Sequence, residues 1–227
     1  TVSPEHEIYL TGKVAVNEQK LAVITANYSG RIEKLFIDFT GQTVNTGQKL
    51  ATIYSPELVT AQKELIEASK FKEINPALYN ASKEKLRLWK ISEKQINEIE
   101  TSGVVLTEFD VYADQSGVVI RRDIAKGDYV NKGTVLFEIA DLSNVWILLD
   151  AYESDLLFMK IGQKITITLA SIPGKEFTTS ISFIDPLINP QTRTAAVRAE
   201  LNNPQQILKP EMFVKGKIKA SLSVSGK

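Results

Sequence analysis

Few side chains in this sequence are equipped for chemistry. Among its 227 residues stand one histidine, His6, and no cysteine. Thiolate metal sites, disulfides and cysteine nucleophiles are therefore excluded. A histidine-rich metal centre, or a triad with its histidine deep in a fold, has nothing to be built from. His6 lies between Glu5 and Glu7, ligand types that suit zinc. Adjacent residues seldom converge on one ion without further ligands, so a solvated charged terminus is the stronger reading. Met159 and Met212 carry the soft thioethers that copper(I) favours. Both stand among apolar residues and read as core filler. His6, Met159 and Met212 are thus weak metal candidates. Glu98 and Glu100 read as a wet helix face. Arg193, within Thr192-Arg193-Thr194, either orders a turn by bonding backbone or carboxylate or touches a partner. There is no phosphate-binding loop, G-x-S-x-G or H-E-x-x-H. No catalytic or cofactor-binding residue is assigned, and the chain reads as something other than an enzyme.

Lys and Arg total 27, as do Asp and Glu, so the formal net charge is zero. Such a chain has no global electrostatic reason to bind nucleic acid. No apolar run approaches the roughly 20 residues that span a bilayer; Val145-Trp-Ile-Leu-Leu149 is of strand length. The chain opens on Thr1-Val-Ser-Pro4 without a visible signal peptide, and we read it as trimmed at both ends.

The elements that position these residues announce themselves through an internal repeat. The first copy runs Ser29-Gly30-Arg-Ile32, then Gly41-Gln-Thr-Val44-Asn-Thr-Gly47-Gln-Lys-Leu50-Ala-Thr-Ile53. The second runs Ser116-Gly117-Val-Val119, then Gly127-Asp-Tyr-Val130-Asn-Lys-Gly133-Thr-Val-Leu136-Phe-Glu-Ile139. Both read G-x-x-V-x-x-G-x-x-L-x-x-I after a Ser-Gly. Short apolar alternations are half-buried strands, and the glycines mark tight turns or close backbone approach. Gly30, Gly41, Gly47, Gly117, Gly127 and Gly133 are therefore structural motif positions, and two copies pair as a small sandwich. The layout resembles the halves of a biotinyl/lipoyl domain, in which a lysine on the joining hairpin carries the cofactor. Here about fifty residues without strand character stand in that place.

That insertion is helical. Ser55-Pro56-Glu57 supplies an N-cap, a first-turn proline and an acid, followed by Leu58, Ala61, Leu65 and Ala68 on one face. Asn75-Pro76 restarts a helix with Leu78, Ala81, Leu86 and Trp89 on its apolar side. Ser92 and Gln95 form a capping box, Ile91 and Ile96 a hydrophobic staple, and the third helix ends near Gly103. Three short amphipathic helices predict a compact bundle. From Asn144 onward, short alternating strands punctuated by Pro173-Gly174, Asn189-Pro190 and Asn203-Pro204 predict a small β-barrel, joined by strands from the segment around Val14–Val23.

The expected fold is mainly β with an inserted helical segment: an elongated, nested multidomain chain of β-barrel, lipoyl-like β-sandwich and short three-helix bundle. Residues 15–25 and 144–217 form the barrel, 26–55 and 101–143 the lipoyl-like domain, and 56–100 the helical bundle. Residues 1–14 and 218–227 remain as a membrane-proximal remnant. Hinges are expected near Ala26 and Asn144, and near Ser55 and Thr101.

This nested order resembles the periplasmic adaptors (membrane fusion proteins) of resistance-nodulation-division, or RND, efflux pumps. The resemblance runs through Tyr54-Ser-Pro-Glu-Leu58, Leu142-Ser-Asn-Val-Trp146, Gly162-Gln163, Ile172-Pro-Gly174, Thr192-Arg-Thr194, Asn203-Pro204 and Leu208-Lys-Pro-Glu-Met-Phe213. Tyr54–Leu58 and Leu86-Arg-Leu-Trp-Lys-Ile-Ser92 are most similar to the heavy-metal, CusB-like branch. The resemblance implies an adaptor linking an inner-membrane RND transporter to an outer-membrane channel and self-associating into a ring. It implies the periplasm of a Gram-negative bacterium, with an N-terminal anchor absent here. No cofactor is implied, and a metal ion would pass only as a transient substrate (copper/silver or zinc/cobalt/cadmium). Two departures stand out. The family has glycine where Glu211 stands, so a turn needing positive φ is expected to differ. The copper-type N-terminal methionines are also missing. An adaptor for organic substrates remains open, as does a lipoyl or biotin carrier.

Overall fold

Alternation of apolar and polar residues places the strands, and proline and serine caps place the helices. The computed structural model describes the backbone of residues 5–221 and the side chains of residues 7–219. In chain order the elements are β1 (Glu5–Val16), β2 (Leu21–Thr25), β3 (Gly30–Leu35), β4 (Thr43–Val44), β5 (Lys49–Tyr54), then helices α1 (Pro56–Lys70), α2 (Pro76–Leu88) and α3 (Glu93–Ser102). There follow β6 (Glu108–Tyr112), β7 (Gly117–Arg122), β8 (Tyr129–Val130), β9 (Val135–Ala140), β10 (Asn144–Tyr152), the short helix α4 (Glu153–Leu156), β11 (Lys164–Thr168), β12 (Glu176–Ile184), β13 (Thr194–Asn202) and β14 (Phe213–Ser221). They fall into two compact units, residues up to Leu21 with those from Asp141 onward, and Ala22–Ala140.

The first unit is a closed antiparallel barrel in the order β1-β10-β13-β12-β11-β14. Its strands point every second residue inward, so Val145, Ile147 and Leu149 meet Ile165, Ile167, Val197 and Ile218 in one core. The interior leaves no slack at Gly216, where an added Cβ would lie 2.8 Å from a Leu149 methyl and 2.9 Å from an Ile165 methyl.

The barrel differs from expectation at its edges. Residues 5–14 and 218–221 are barrel strand rather than a membrane-proximal remnant: Ile8 is paired with Ile218 and both are buried. Leu21–Thr25 leaves the barrel. Asn17 ends β1 by accepting a hydrogen bond from the Gln19 backbone at 3.0 Å and donating to the Asn144 side chain at 2.9 Å. The chain turns there, and Ile24 enters the other core.

The second unit is the sandwich, with sheets in the order β2-β9-β7-β4 and β6-β5-β3-β8. The helices grow from it. Ser55, Asn75 and Ser92 each cap a helix by accepting from the backbone three residues on. Gln95 closes the capping box from its side chain, and Gly103 stops α3 in the left-handed region at φ 65°. Leu58, Ala61, Leu65, Leu86 and Ile96 join Ile53 and Phe109 in one continuous core. The boundaries drawn at residues 55 and 101 therefore separate elements, not cores. On α2 the expected apolar stripe is only partly buried: Leu86 is covered, but Leu78 and Ala81 are exposed and Ser82 is buried instead. The helix is rotated so that a small residue takes the close approach to α1.

Candidate functional site

Two of the three weak metal candidates belong to the barrel core. Met159 is buried in the barrel core, and Met212 packs against the same core with its sulfur accepting from the Lys209 backbone at 3.4 Å. His6 belongs to β1, and its side chain lies outside the described residues. Among the described residues no three His, Asp or Glu side chains are grouped to hold an ion.

The repeat glycines form a different kind of constellation, one of backbone. Gly30 and Gly117 start equivalent strands, each pressed against the end of its neighbour. An added Cβ would lie 2.3 Å from the Tyr54 carbonyl oxygen at Gly30 and 2.5 Å from that of Ala140 at Gly117. Gly41, Gly47, Gly127 and Gly133 all have positive φ, between 77° and 95°.

Their amides tie each copy to the other in matching pairs. Gly41 donates to Val119 at 2.7 Å and Gly127 to Ile32 at 2.8 Å, while Gly47 donates to Ala113 and Gly133 to Ala26, each at 2.8 Å. The serine of each Ser-Gly accepts from a turn of the opposite copy. Ser116 takes the Thr46 amide at 2.8 Å and Ser29 the Lys132 amide at 3.4 Å. The signal for this cross-capping was the serine itself, present directly before the strand glycine in both copies.

Where a carrier would place its lysine hairpin, between β5 and β6, stand the three helices. Gln62, fully buried on α1, fastens them. Its amide nitrogen donates to the carbonyls of Leu58 at 3.0 Å and Leu106 at 2.8 Å, and its oxygen accepts from the Leu106 amide at 2.9 Å. Sequence patterning missed this residue because a glutamine beside a leucine stripe reads as surface.

Beneath the helices, Asp110 on β6 accepts from Thr52 at 2.9 Å and from Lys49 at 2.6 Å. Burial disfavours its charge, but Lys49 and Thr52 outweigh burial and hold the carboxyl below its ordinary value. At the far end of α1, Phe71, Ile74 and Leu78 are more than half exposed, and Phe71 and Leu78 line a groove of about 370 Å³ with Glu64, Glu67, Ala68 and Ser82.

Arg193 sits at φ 56° in a turn where its amide donates to the Asn189 carbonyl at 2.8 Å. The Asn189 side chain accepts from Gln191 at 2.9 Å. The turn is ordered by Asn189 and by backbone, not by the guanidinium, which is exposed without a side-chain partner among the described residues. The Glu211 turn corrects the expectation of altered geometry. Glu211 keeps φ 69°, donates its amide to the Val14 carbonyl at 2.9 Å, and pairs with Lys13 at 2.8 Å. The backbone bond demands the left-handed conformation whatever the residue. Glu211→Gly is therefore expected to stabilise the barrel by about 1 kcal/mol, since strain of that order is relieved while an exposed ion pair contributes little. A rise in urea midpoint with unchanged slope would register it.

Comparison with known proteins gives this geometry a family. A model described as "CusB, barrel-sandwich hybrid domain" matches residues 21–140, and one described as "CusB-like, beta-barrel domain" matches residues 144–222. The chain is 29% identical over 233 residues to the "Cobalt-zinc-cadmium resistance protein CzcB" of Cupriavidus metallidurans, covering 91% of this chain and 44% of that protein. It is 27% identical over 201 residues to the "Cation efflux system protein CusB" of Escherichia coli K12, covering 88% and 49%. Its fold matches the crystal structure of ZneB from Cupriavidus metallidurans with a TM-score of 0.68 at 21% identity, over 97% of this chain and 100% of that one. The chain spans about half the length of the curated relatives it matches. It belongs to the CusB-like, heavy-metal branch of the RND membrane fusion proteins, a family of adaptors and not of enzymes.

Proposed function

We propose that this chain is the periplasmic adaptor of a tripartite RND-type efflux system for heavy-metal cations, linking an inner-membrane transporter to an outer-membrane channel. The observation that carries the reading is the replacement of the carrier hairpin by helices. A sandwich that would otherwise present a lysine for group transfer instead presents a protein-binding tip. Exposed Phe71, Ile74 and Leu78 give that tip the apolar character of a docking surface, and we assign it to the channel. The barrel is assigned to the transporter. Copies of the chain associate around the conduit. The protein works in the periplasm of a Gram-negative cell and is anchored at its N-terminal side. The names of the relatives, for cobalt-zinc-cadmium resistance and cation efflux, support a metal substrate. In this reading the ion is a transient substrate of the conduit, and Met159 and Met212 are packing residues of the barrel core.

The test is the sensitivity of a deletion strain to copper, silver, zinc, cobalt and cadmium, beside dyes and detergents. Hypersensitivity to one or two metals, reversed by the unchanged gene and equally by a Met159→Leu/Met212→Leu gene, is expected. Hypersensitivity confined to organic compounds would replace the metal reading with an organic-substrate adaptor.

A further inference from the structure

The barrel carries its charge unevenly. Strands β11 and β14 stand across the closed six-strand order from β10 and β13. On the β11–β14 side the outward positions include Lys164 and Lys215 with exposed Phe213 and no acid, while Lys217 is already paired with Glu7 of β1 at 2.7 Å. On the β10–β13 side stand Asp150 and Glu200, and Glu153 and Asp185 follow directly after β10 and β12. Arg198 on β13 does not answer these acids, because its guanidinium is stacked 4.1 Å from the Trp146 ring centroid and 5.0 Å from that of Phe183. Among the described residues, Lys164 and Lys215 have no ion-pair partner, and neither do Asp150 and Glu200. The acidic side also holds a recess of about 600 Å³, lined in part by Asp150, Asp185, Leu187 and Ile188 around Ala196. The basic side offers the complement, Phe213 with 84% of its surface exposed and Lys215 two residues on.

We infer that the β11–β14 wall of one copy docks on the β10–β13 wall of the next, so that the barrel is the self-association surface. Two different patches of one molecule that fit each other make a head-to-tail contact, which closes into a ring when the rotation allows. A second copy is the occupant because both halves of the contact are present on every molecule, and their charges are opposite. This rests on the adaptor reading, where copies surround a conduit.

The experiment uses the full-length protein in sedimentation at low and high salt. Lys164→Glu/Lys215→Glu makes both walls acidic, and Asp150→Lys/Glu200→Lys makes both basic. Each variant alone is expected to self-associate about a hundredfold more weakly than the unchanged protein, because like charges now face one another. An equimolar mixture of the two is expected to associate again, since every contact then pairs opposite walls. Salt should weaken both the unchanged protein and the mixture. Unimpaired association of either variant, no recovery on mixing, or an unchanged protein that stays monomeric at low salt would overturn the inference. The adaptor reading fails separately, if the unchanged gene does not restore resistance to the deletion strain.

Discussion

Gly30→Ala and Gly117→Ala are each expected to destabilise the sandwich by about 3 kcal/mol or more, the upper range for forcing an atom where packing leaves no room. The neighbour is a backbone carbonyl oxygen, 2.3 Å from the new Cβ at Gly30 and 2.5 Å at Gly117. A side chain could rotate aside, but the Tyr54 and Ala140 carbonyls are fixed at the ends of β5 and β9. Gly41→Ala and Gly127→Ala are the controls. Their Cβ atoms would meet open space, so only the positive φ is strained, at about 1 kcal/mol. Urea denaturation should show the first pair losing far more midpoint than the second. Equal losses in both pairs would mean that the sheet gives way at β5 and β9.

The second large effect is at Gln62. Gln62→Leu keeps the volume but abandons three hydrogen bonds, and is expected to cost about 2–3 kcal/mol as the Leu58 and Leu106 groups lose their partner. Gln62→Glu should be worse at neutral pH, since a buried carboxylate would face two carbonyl oxygens. Burial raises the folded pKa of that carboxyl above its unfolded value. The ionisation part of the deficit is therefore full above the folded value, shrinks as pH falls between the folded and unfolded values, and is absent below the unfolded value of about 4.3. Stability measured across that range for both variants separates them: the leucine deficit stays flat and the glutamate deficit does not.

Much of the fold could be read directly. The repeat, the capping residues Ser55, Asn75 and Ser92, the stop at Gly103 and the alternation in Lys164–Thr168 all act locally, through neighbours within one turn or one strand. What escaped reading acts across the chain. Nothing near Leu21–Thr25 says whether it pairs with β9 or with a barrel strand; the choice is made by the turn at Asn17. Leu78 belongs to a helical stripe but lies exposed, because α2 is set by its packing on α1. Gln62 is legible only once Leu106 is beside it. For the site the limit is similar. Gly30 and Gly117 could be named from the pattern, but that a carbonyl lies against each requires the paired strand. Glu211 shows the reverse, since its neighbours impose a conformation that its own side chain disfavours.

The pairing of β1 with β14 sets the order in which the molecule can assemble. Ile8 lies beside Ile218, and Lys13 beside Phe213, so the barrel is zipped shut by segments some two hundred residues apart. Closing so long a loop is entropically expensive and slow. The helices and the hairpin-like pairs can form while the chain is still being delivered, and β10 can cover one edge of β1, whereas the other edge stays open until β14 arrives. An unpaired strand edge in that interval is a template for other chains, which makes the tens of seconds before the last strand is delivered, not the finished barrel, the stage most in need of a chaperone.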